Sequence, residues 1–449
     1  MSNFIGKHVV VVGAGMGGLA AAKALSTHFD QVTVLERDSL PLDATPRQGT
    51  PQARHLHALL AGGLVALNEL LPGIETDLEQ AGAIRLTPQS LRMDRPGFDP
   101  YPQRDLGLSW LSMSRPMLEF VTRQAVRRQK NIELLGGCRV TEFLASPDGS
   151  AVSGVRYDAS DGSSNTISAD LVVDASGRGM MTLGALENMG FSKTGETEIG
   201  IDMAYSTAIF EQPVDAPSAW KGVIILPWAP RDNRGGFLSP IENNLWIVSV
   251  GANHGDAPPG DMEGFLEFTK SLRTPTVYDA IKNAKPIGPI IRYLLPSSVR
   301  RHFETVQRFP RGLLPIGDAI CRFNPVFGQG MSVAAQEAVI LDRLLKARST
   351  DADPLDGLAA VFFAEIQGVL ETPWGIATSD FIYPKTRGER PANFEQRMQF
   401  NLGLVRLGAE DASVQKLLVE VNHLLKPQSA LRTPEISERV VKLMATPAV

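Results

Sequence analysis

Cysteine is almost absent from this chain of 449 residues, which contains only Cys138 and Cys321. Two cysteines are too few for a disulfide framework, and neither belongs to a Cys-x-x-Cys pair or lies near clustered histidines. The sequence therefore predicts no structural disulfide and no metal site. Such low cysteine usage favours a reducing compartment, and we expect the protein in the cytoplasm.

Long apolar runs are also missing. No window reaches roughly eighteen apolar residues without a charge or a proline. The apolar run in the N-terminal MSNFIGKHVVVVGAG ends at a glycine after about five residues, which is too short for a signal peptide. We expect neither a signal peptide nor a transmembrane segment.

Charge of one sign is not concentrated anywhere. The chain has 44 Lys and Arg against 49 Asp and Glu, a formal net charge of −5. Its short basic stretches are typical of solvated helix faces, so nucleic acid is not a predicted partner. At this length, with 43% hydrophobic residues, the chain can bury a large core and is expected to form more than one lobe.

Residues 8 to 37 have the pattern of one βαβ unit. HVVVVG is a buried strand, GGLAAAKALSTHF is a helix, and QVTVLER is a second strand that ends near Glu36. The turn GAGMGG places Gly13, Gly15 and Gly18 in a Gly-x-Gly-x-x-Gly pattern between strand and helix. These glycines allow a tight turn and a close approach to a pyrophosphate, while Glu36 can accept the ribose hydroxyls. The pattern predicts a dinucleotide site.

A second glycine-rich stretch, GDAICRFNPVFGQGMSVAAQEAVIL at 317–341, favours FAD over NAD. An NAD site needs no further nucleotide-contacting segment so far downstream, whereas the ribityl chain and flavin ring of FAD need partners of their own. Asp318 is expected to accept a hydrogen bond from the ribityl or pyrophosphate end. Gly328 to Met331 are expected to bring backbone N–H groups and a helix N-terminus to the flavin edge.

The order of strand and helix patterns predicts an α/β protein. A Rossmann-type FAD-binding domain, with a parallel sheet and a meander, is interleaved with an antiparallel-sheet substrate domain and followed by a helical C-terminal region. The predicted parts are a FAD-binding βαβ part at 1–80, a substrate-lobe excursion at 81–110, a FAD-binding part at 111–190, the antiparallel substrate domain at 191–300, a FAD-binding part with flavin contacts at 301–345, and the helical region at 346–449.

The segments GAGMGGLAAAKAL, DLVVDASGRG and GDAICRFNPVFGQGMSVAA, together with Glu36, resemble the FAD-dependent monooxygenases of the p-hydroxybenzoate hydroxylase fold over nearly the whole chain. RQGTPQARHLHALL, SLRTPTVYDAIKNAKPIGPI and FNPVFGQGMS resemble the branch with the bacterial polyether-pathway polyene epoxidases, relatives of squalene epoxidases. The resemblance implies FAD, O2 and a lipophilic polyene, terpenoid or polyketide that is epoxidised or hydroxylated through a flavin C4a-hydroperoxide.

The same resemblance assigns roles to single residues. It implies that Arg54 lies beside the flavin, that Arg115 contacts the FAD phosphate or ribityl region, and that Val140 meets the adenine through its backbone. The complete predicted set of FAD-binding residues is Gly13, Gly15, Met16, Gly18, Glu36, Arg37, Arg54, Arg115, Val140, Asp318, Gly328, Gln329, Gly330 and Met331.

Arg54 and His57 are the candidates for a direct role in catalysis, because both are expected near the flavin at the start of a helix. His57 has a second interpretation, in which it only caps that helix or bonds a carbonyl group. His55 and His57 are two residues apart, do not share a helix face and make a poor metal pair. The acids of the C-terminal third, such as Glu337 and Glu371, are expected on solvated helix faces.

The source of electrons is left open by the sequence. Ala175-Ser176-Gly177 stands where the aromatic hydroxylases carry an Ala-Asp-Gly motif linked to FAD and NADPH contacts, and Asp174 falls two positions early. The DASG form resembles halogenases and prenyl-chain reductases of the same fold, but the Trp-x-Trp-x-x-Pro element of flavin halogenases is missing. NAD(P)H is therefore expected to act either directly or through a flavin reductase.

Two other functions remain open at this point. The chain could be a FAD-dependent reductase or dehydrogenase that acts on an isoprenoid-like chain, or a non-catalytic FAD-binding protein. The aromatic residues Trp228, Trp246 and Phe237 have two interpretations as well, since they could line an apolar substrate cavity or belong to the core.

Overall fold

The computed structural model describes residues 4–445, and its strands and helices are numbered here in chain order. A five-stranded parallel sheet forms the first layer. The apolar run of HVVVV suits its central strand, because a parallel sheet is buried on both faces. Across the sheet the strands are β6 (Ile132–Gly136), β2 (Phe29–Glu36), β1 (Gly6–Val12), β10 (Leu171–Asp174) and β16 (Leu313–Pro315).

The two faces of this sheet carry different cores. Val9 and Val11 pack against helices, whereas Val10 and Val12 pack toward a three-stranded antiparallel meander. The helices of the first face are α1 (Met16–Leu25), α2 (Ala61–Leu70), α3 (Ile74–Gln80), α4 (Arg115–Arg127) and α8 (Gly330–Ala347). The meander consists of β7 (Cys138–Ala145), β8 (Val152–Ala159) and β9 (Ser164–Ser168), with α5 (Met180–Asn188) beside it.

A seven-stranded sheet forms the second lobe, and all its pairings are antiparallel except the one between its last two strands. In order these strands are β17 (Cys321–Arg322), β15 (Pro286–Arg301), β11 (Glu196–Glu211), β14 (Leu245–Ala252), β13 (Gly235–Ile241), β12 (Gly222–Ile225) and β4 (Leu91–Asp94). The short strands β3 (Ile84–Leu86) and β5 (Trp110–Ser112) pair nearby, and α6 (Met262–Lys270) and α7 (Thr276–Ile281) cover one face of the large sheet.

The C-terminal region is helical. Its elements are α9 (Leu358–Glu365), α10 (Gln367–Ala377), α11 (Phe394–Glu410), α12 (Ala412–Asn422) and α13 (Pro434–Ala445). The last three share a small hydrophobic cluster of their own. The region also reaches the start of α2, because the Gly62 N–H donates to the carbonyl oxygen of His423 at 2.8 Å.

The predicted fold class is confirmed, with a parallel sheet, a meander, a largely antiparallel second sheet and C-terminal helices. The chain crosses between the lobes more than once, since β4 lies between α3 and α4 of the first lobe in sequence, and β17 lies between β16 and α8, yet both strands belong to the second sheet. The exact domain boundaries stay a prediction. Between residues 4 and 445, no helix is long and apolar enough to cross a membrane.

Candidate functional site

The glycine turn after β1 is built for close backbone contacts. Gly13 has a φ of +102°, and a Cβ there would lie 2.7 Å from the Ala175 carbonyl oxygen. A Cβ on Gly18 would lie 1.9 Å from the Gly13 carbonyl oxygen, so helix and strand pack tightly. Gly15 differs, because a Cβ on it would meet nothing within 4 Å. No side chain caps α1 at Gly15, and its first N–H groups, beginning with Met16, face this space.

Glu36 lies beside this turn at the end of β2. Its Oε2 accepts the Ala14 N–H at 2.8 Å and pairs with Arg47 Nη1 at 2.9 Å, while its Oε1 accepts the Asp38 N–H at 3.1 Å. A carboxylate has about four acceptor positions, so Oε1 retains one for a hydroxyl group. The arrangement suits a ribose, as the sequence predicted, although that contact itself stays a prediction.

Arg47 was missed in the sequence, and it ties Glu36 to α4. Its guanidinium contacts Glu119 Oε1 at 2.7 Å and Asp38 Oδ2 at 3.3 Å, and its side chain is only 2% exposed. Burial alone would raise the pKa of Glu119, but Arg115, Arg47 and Arg123 together lower it below its ordinary value. A continuous ionic network therefore joins the glycine turn to Arg115.

Part of this network was visible in the sequence. Arg115, Glu119 and Arg123 follow each other at intervals of four residues, a spacing that places them on one helix face. Arg47 lies in a loop without periodicity, so no pattern singles it out. Arg115 extends from α4 to contact the Met331 sulfur at the start of α8.

Asp318 lines a recess at the other end of the network. Its side chain is exposed, yet desolvation by surrounding atoms raises its pKa, against the opposing effect of Arg322, Arg115 and Arg301. A carboxyl group that reaches solvent while its pKa is raised by desolvation lies in a recess, not on an open surface. A Cβ on Gly330 would lie 3.4 Å from Asp318 Oδ1, so the start of α8 forms the adjacent wall.

The start of α8 resembles the start of α1. Gln329 is the N-cap residue, is buried and makes no side-chain cap bond, so the first N–H groups of the helix point outward. Gly328 has a φ of +66°, and a Cβ there would lie 3.0 Å from the Ala58 Cβ. Only glycine adopts this backbone conformation easily, which brings the segment before α2 close to the helix start.

The segment before α2 departs from the sequence prediction. Arg54, His55 and His57 do not begin the helix, because α2 starts at Ala61 and Pro51–Arg54 form a separate 3₁₀ turn. Arg54 is exposed at the end of that turn. His57 does not cap the helix; its Nδ1 lies 3.0 Å from the carbonyl oxygen of His55.

Both histidines are neutral at pH 7. Desolvation lowers the pKa of His57 to about 4, with a further contribution from Arg115, and desolvation lowers the pKa of His55 to about 4. The His55 Nδ1 lies 2.8 Å from Thr207 Oγ1 in the second sheet. His55 thus links the cofactor side of the molecule to the sheet. In residues 4–445 no group of three His, Cys, Asp or Glu side chains could hold a metal ion.

The sheet face that His55 contacts carries apolar side chains. Thr207 is opposite Ser249, Ser249 is opposite Phe237, and Phe237 is opposite Ile224 in the strand register. Residues directly opposite each other share a face, so these four lie in one row with Met93, which is opposite Ile224. Met93, Ile224 and Phe237 are partly exposed, and together they form the apolar row discussed below.

Trp228, Trp246 and Phe237, for which the sequence left both a cavity and a core position open, are not brought together. Trp246 is 2% exposed and belongs to the core between the second sheet and its covering helices, next to Trp220. Trp228 is 48% exposed and stacks with Arg231. Only Phe237 faces the cofactor side, so a cavity lined by all three residues is wrong. The alternation of apolar and polar residues around Trp246 predicts a strand, but it does not show which face of the sheet the helices cover.

Three further predicted residues have clear positions. Asp174 is fully buried and accepts hydrogen bonds from the N–H and hydroxyl groups of Ser176 and Thr182, at 2.6–3.1 Å, so it holds its own turn. Val140 is half-buried in β7, and Arg37 is exposed and donates to the carbonyl oxygen of Gly49. The predicted contacts of Val140, Arg37 and Arg54 with FAD stay predictions.

A comparison with protein families decides the class of this site. The family described as "FAD binding domain" matches residues 7–355, more than three quarters of the chain. The chain belongs to this family of FAD-dependent monooxygenases. The predicted flavoprotein oxidoreductase is thereby confirmed, while the narrower epoxidase branch is not.

Individual relatives agree with this family. Protein Rv3254 of Mycobacterium tuberculosis is 33% identical over 354 residues, which cover 76% of this chain and 74% of the relative. Squalene epoxidase 6 of Arabidopsis thaliana is 25% identical, over 77% of this chain and 63% of its own length. The solved structure of the flavin-dependent brominase Bmp2 has a TM-score of 0.68 at 15% identity, covering 97% and 98% of the two chains, and shows the shared fold.

The residues of the site fit FAD. The open space at Gly15 is where a side chain would obstruct a pyrophosphate, and the uncapped start of α1 faces it. Glu36 would hold the ribose, Asp318 would accept a hydrogen bond from a hydroxyl group at the ribityl end, and the start of α8 would face the flavin edge. When bound, the flavin supplies the activation of O2.

Proposed function

We propose that the protein is a FAD-dependent monooxygenase that epoxidises or hydroxylates a lipophilic substrate, such as a polyene, terpenoid or polyketide. One observation carries the proposal. The apolar row consists of Met93, Ile224 and Phe237 and lies on the sheet face that His55 contacts. His55 belongs to the segment before α2, and Ala58 of the same segment lies against Gly328 at the flavin side. The relationship to a squalene epoxidase supports the same substrate class.

The chain's own residues have to exclude water and set the charge around the reacting atoms. His57 is neutral and contacts a backbone carbonyl group, so it adds no positive charge and can act as a hydrogen-bond partner. The outward N–H groups at the start of α8 favour negative charge at the flavin edge. The apolar row orients a substrate through burial of its carbon skeleton.

The electrons come from NAD(P)H, and we propose transient docking or a partner flavin reductase as the route. Two observations support this. The sequence has a single Gly-x-Gly-x-x-Gly turn, and Asp174 already uses both carboxylate oxygens within its own turn. Anaerobic mixing with NADH or NADPH, with and without a flavin reductase, distinguishes the routes. Rapid bleaching of the flavin absorbance by NADPH alone would contradict the reductase route.

The reaction class is tested with ¹⁸O2. The holoenzyme, reduced as above, is given lipophilic alkenes such as squalene, and oxygen uptake and products are measured. We expect uptake to match product, with one ¹⁸O atom in each product molecule and the second in water. A saturated or desaturated product without oxygen uptake would instead identify the reductase or dehydrogenase alternative. Flavin that no donor reduces would favour a non-catalytic FAD-binding protein.

The apolar row is tested with a pair of aromatic variants. Phe237→Asp should raise the KM for a lipophilic substrate at least tenfold, because a charged side chain would replace the apolar contact surface in the row. Trp228→Asp is the matched control, since Trp228 is an exposed aromatic residue outside the row. Both variants should retain FAD. Equal KM values for the two variants would remove the row from the substrate site.

A further inference from the structure

Glu337 of α8 is a buried acid that the proposed reaction does not use. The sequence predicted a solvated helix face, and the structure contradicts this, because Glu337 is 0% exposed. The side chain packs beneath the turn that carries Asp318. Its Oε2 accepts the Gly317 N–H at 2.6 Å, and within residues 4–445 its Oε1 has no hydrogen-bond partner.

The surroundings of Glu337 disfavour its ionised form. Desolvation, with a smaller contribution from Asp318, raises the pKa of Glu337 to about 8 despite the lowering effect of the Gly317 N–H. Cys321, the other titratable group beside it, is a buried thiol whose pKa is itself raised. The raised pKa favours the protonated form of Glu337 at pH 7, and Oε2 remains the acceptor of the Gly317 N–H.

The turn above Glu337 needs a fixed backbone. Gly317 has a φ of +66°, and a Cβ there would lie 3.3 Å from the Ala334 Cβ of α8, so the turn rests directly on the helix. The Ile320 N–H donates to the Gly317 carbonyl oxygen at 2.8 Å and closes the turn around Asp318. The Gly317 N–H is the group that connects this turn to Glu337.

We propose that Glu337 is a positioning residue that holds the Gly317 N–H and so keeps Asp318 directed into the FAD recess. Ionisation would place a second negative charge next to Asp318 and would disturb the turn. The proposal rests on FAD binding, which the family establishes, and not on the reaction that the enzyme performs.

The test measures FAD affinity in apoprotein titrations followed by flavin fluorescence between pH 6 and 9, without substrate or electron donor. In Glu337→Gln the amide oxygen can still accept the Gly317 N–H and the group never ionises. We expect wild-type affinity at pH 6 and a dissociation constant that does not change with pH. The wild-type dissociation constant should rise above pH 8, by up to tenfold per pH unit.

Glu337→Leu removes the acceptor and leaves the buried N–H without a partner, so its dissociation constant should be about tenfold higher at every pH. Glu371→Gln, an exposed acid on α10, is the matched control and should behave like the wild type. Equal pH dependence in wild type and Glu337→Gln would overturn the proposal. So would unchanged affinity in Glu337→Leu, and if that variant does not fold, the glutamine variant decides alone.

Discussion

Two buried glutamates, Glu119 on α4 and Glu337 on α8, have opposite electrostatic surroundings within one site. Glu119 is 4% exposed and Glu337 is 0% exposed, so both pay a similar cost of desolvation. Glu119 has three arginines beside it and its pKa is lowered, whereas Glu337 has one backbone N–H and an acidic neighbour and its pKa is raised. Burial alone does not decide the charge of a carboxyl group; the neighbouring charges do.

The difference divides the cofactor site into two walls. The wall formed by Glu36, Arg47, Glu119 and Arg115 is ionic, and each of these side chains takes part in at least one ion pair. The wall formed by the Gly317 turn and α8 depends on a neutral acid, with Asp318 exposed toward the recess. We expect the loss of a charged partner in the first wall to lower the free energy of unfolding. In the second wall we expect the free energy of unfolding to depend on pH.

The largest effect should come from Glu119→Leu. This variant leaves Arg47, Arg115 and Arg123 buried together without their shared counter-charge. Removal of one partner from a buried ionic network costs about 3–5 kcal/mol of the free energy of unfolding. Urea unfolding of the wild type and the variant at pH 7 measures the loss. Glu371→Leu is the matched control at an exposed helix position. If Glu119→Leu lowers the free energy of unfolding no more than this control does, the network is not stabilising.

A pH-dependent effect, which is smaller than that of Glu119→Leu over any single pH unit, is expected for Glu337→Gln. Between pH 4.5, the ordinary pKa, and pH 8 the folded protein retains a proton on Glu337 that the unfolded chain has released. Wild-type stability therefore falls as the pH rises through this window, by up to about 1.4 kcal/mol per pH unit from this group. The variant lacks this contribution, so its free energy of unfolding relative to the wild type should increase from pH 5 to pH 8. A constant difference over that range would mean that Glu337 is ionised in the folded protein.

The smallest effect belongs to an exposed pair. Arg343 on α8 contacts Glu69 on α2 at 2.9 Å, and both side chains are largely exposed. Because solvent screens such pairs, Arg343→Ala should change the free energy of unfolding by no more than about 1 kcal/mol. Thermal or urea unfolding at low and high salt checks this. A loss comparable to that of Glu119→Leu would contradict the distinction between buried and exposed charge.

The βαβ unit and its glycine turn were predictable because their signals are local. The apolar run of β1, the three glycines and Glu36 lie within about one supersecondary unit, where spacing alone determines the geometry. Gly328 was identified from a local pattern as well, and its left-handed backbone conformation requires glycine. Arg115 was assigned to the cofactor only through the resemblance to a family, because its spacing from Glu119 and Arg123 indicates a shared helix face but no ligand.

Residues whose role depends on burial were not predictable. The sequence pattern of α8 predicts a solvated helix face for Glu337, whereas the packing of the Gly317 turn on α8 buries this residue. Trp246 and Phe237 both lie on strands of the second sheet, and the helices α6 and α7 decide which of the two faces becomes core. Arg47 lies in a loop, and its side chain contacts Glu36 of β2, Glu119 of α4 and Asp38 of the same loop.

The sequence by itself therefore determined the class of the protein: an α/β fold, a dinucleotide turn, a second flavin-side glycine segment, and no membrane-spanning run. These features depend on backbone conformation and on the local order of apolar residues, which neighbours along the chain specify. The tertiary structure decided the charge of each buried acid and which aromatic residue faces the cofactor side. Desolvation and Coulomb interactions depend on distances between residues that are far apart along the chain, and only the folded chain fixes those distances.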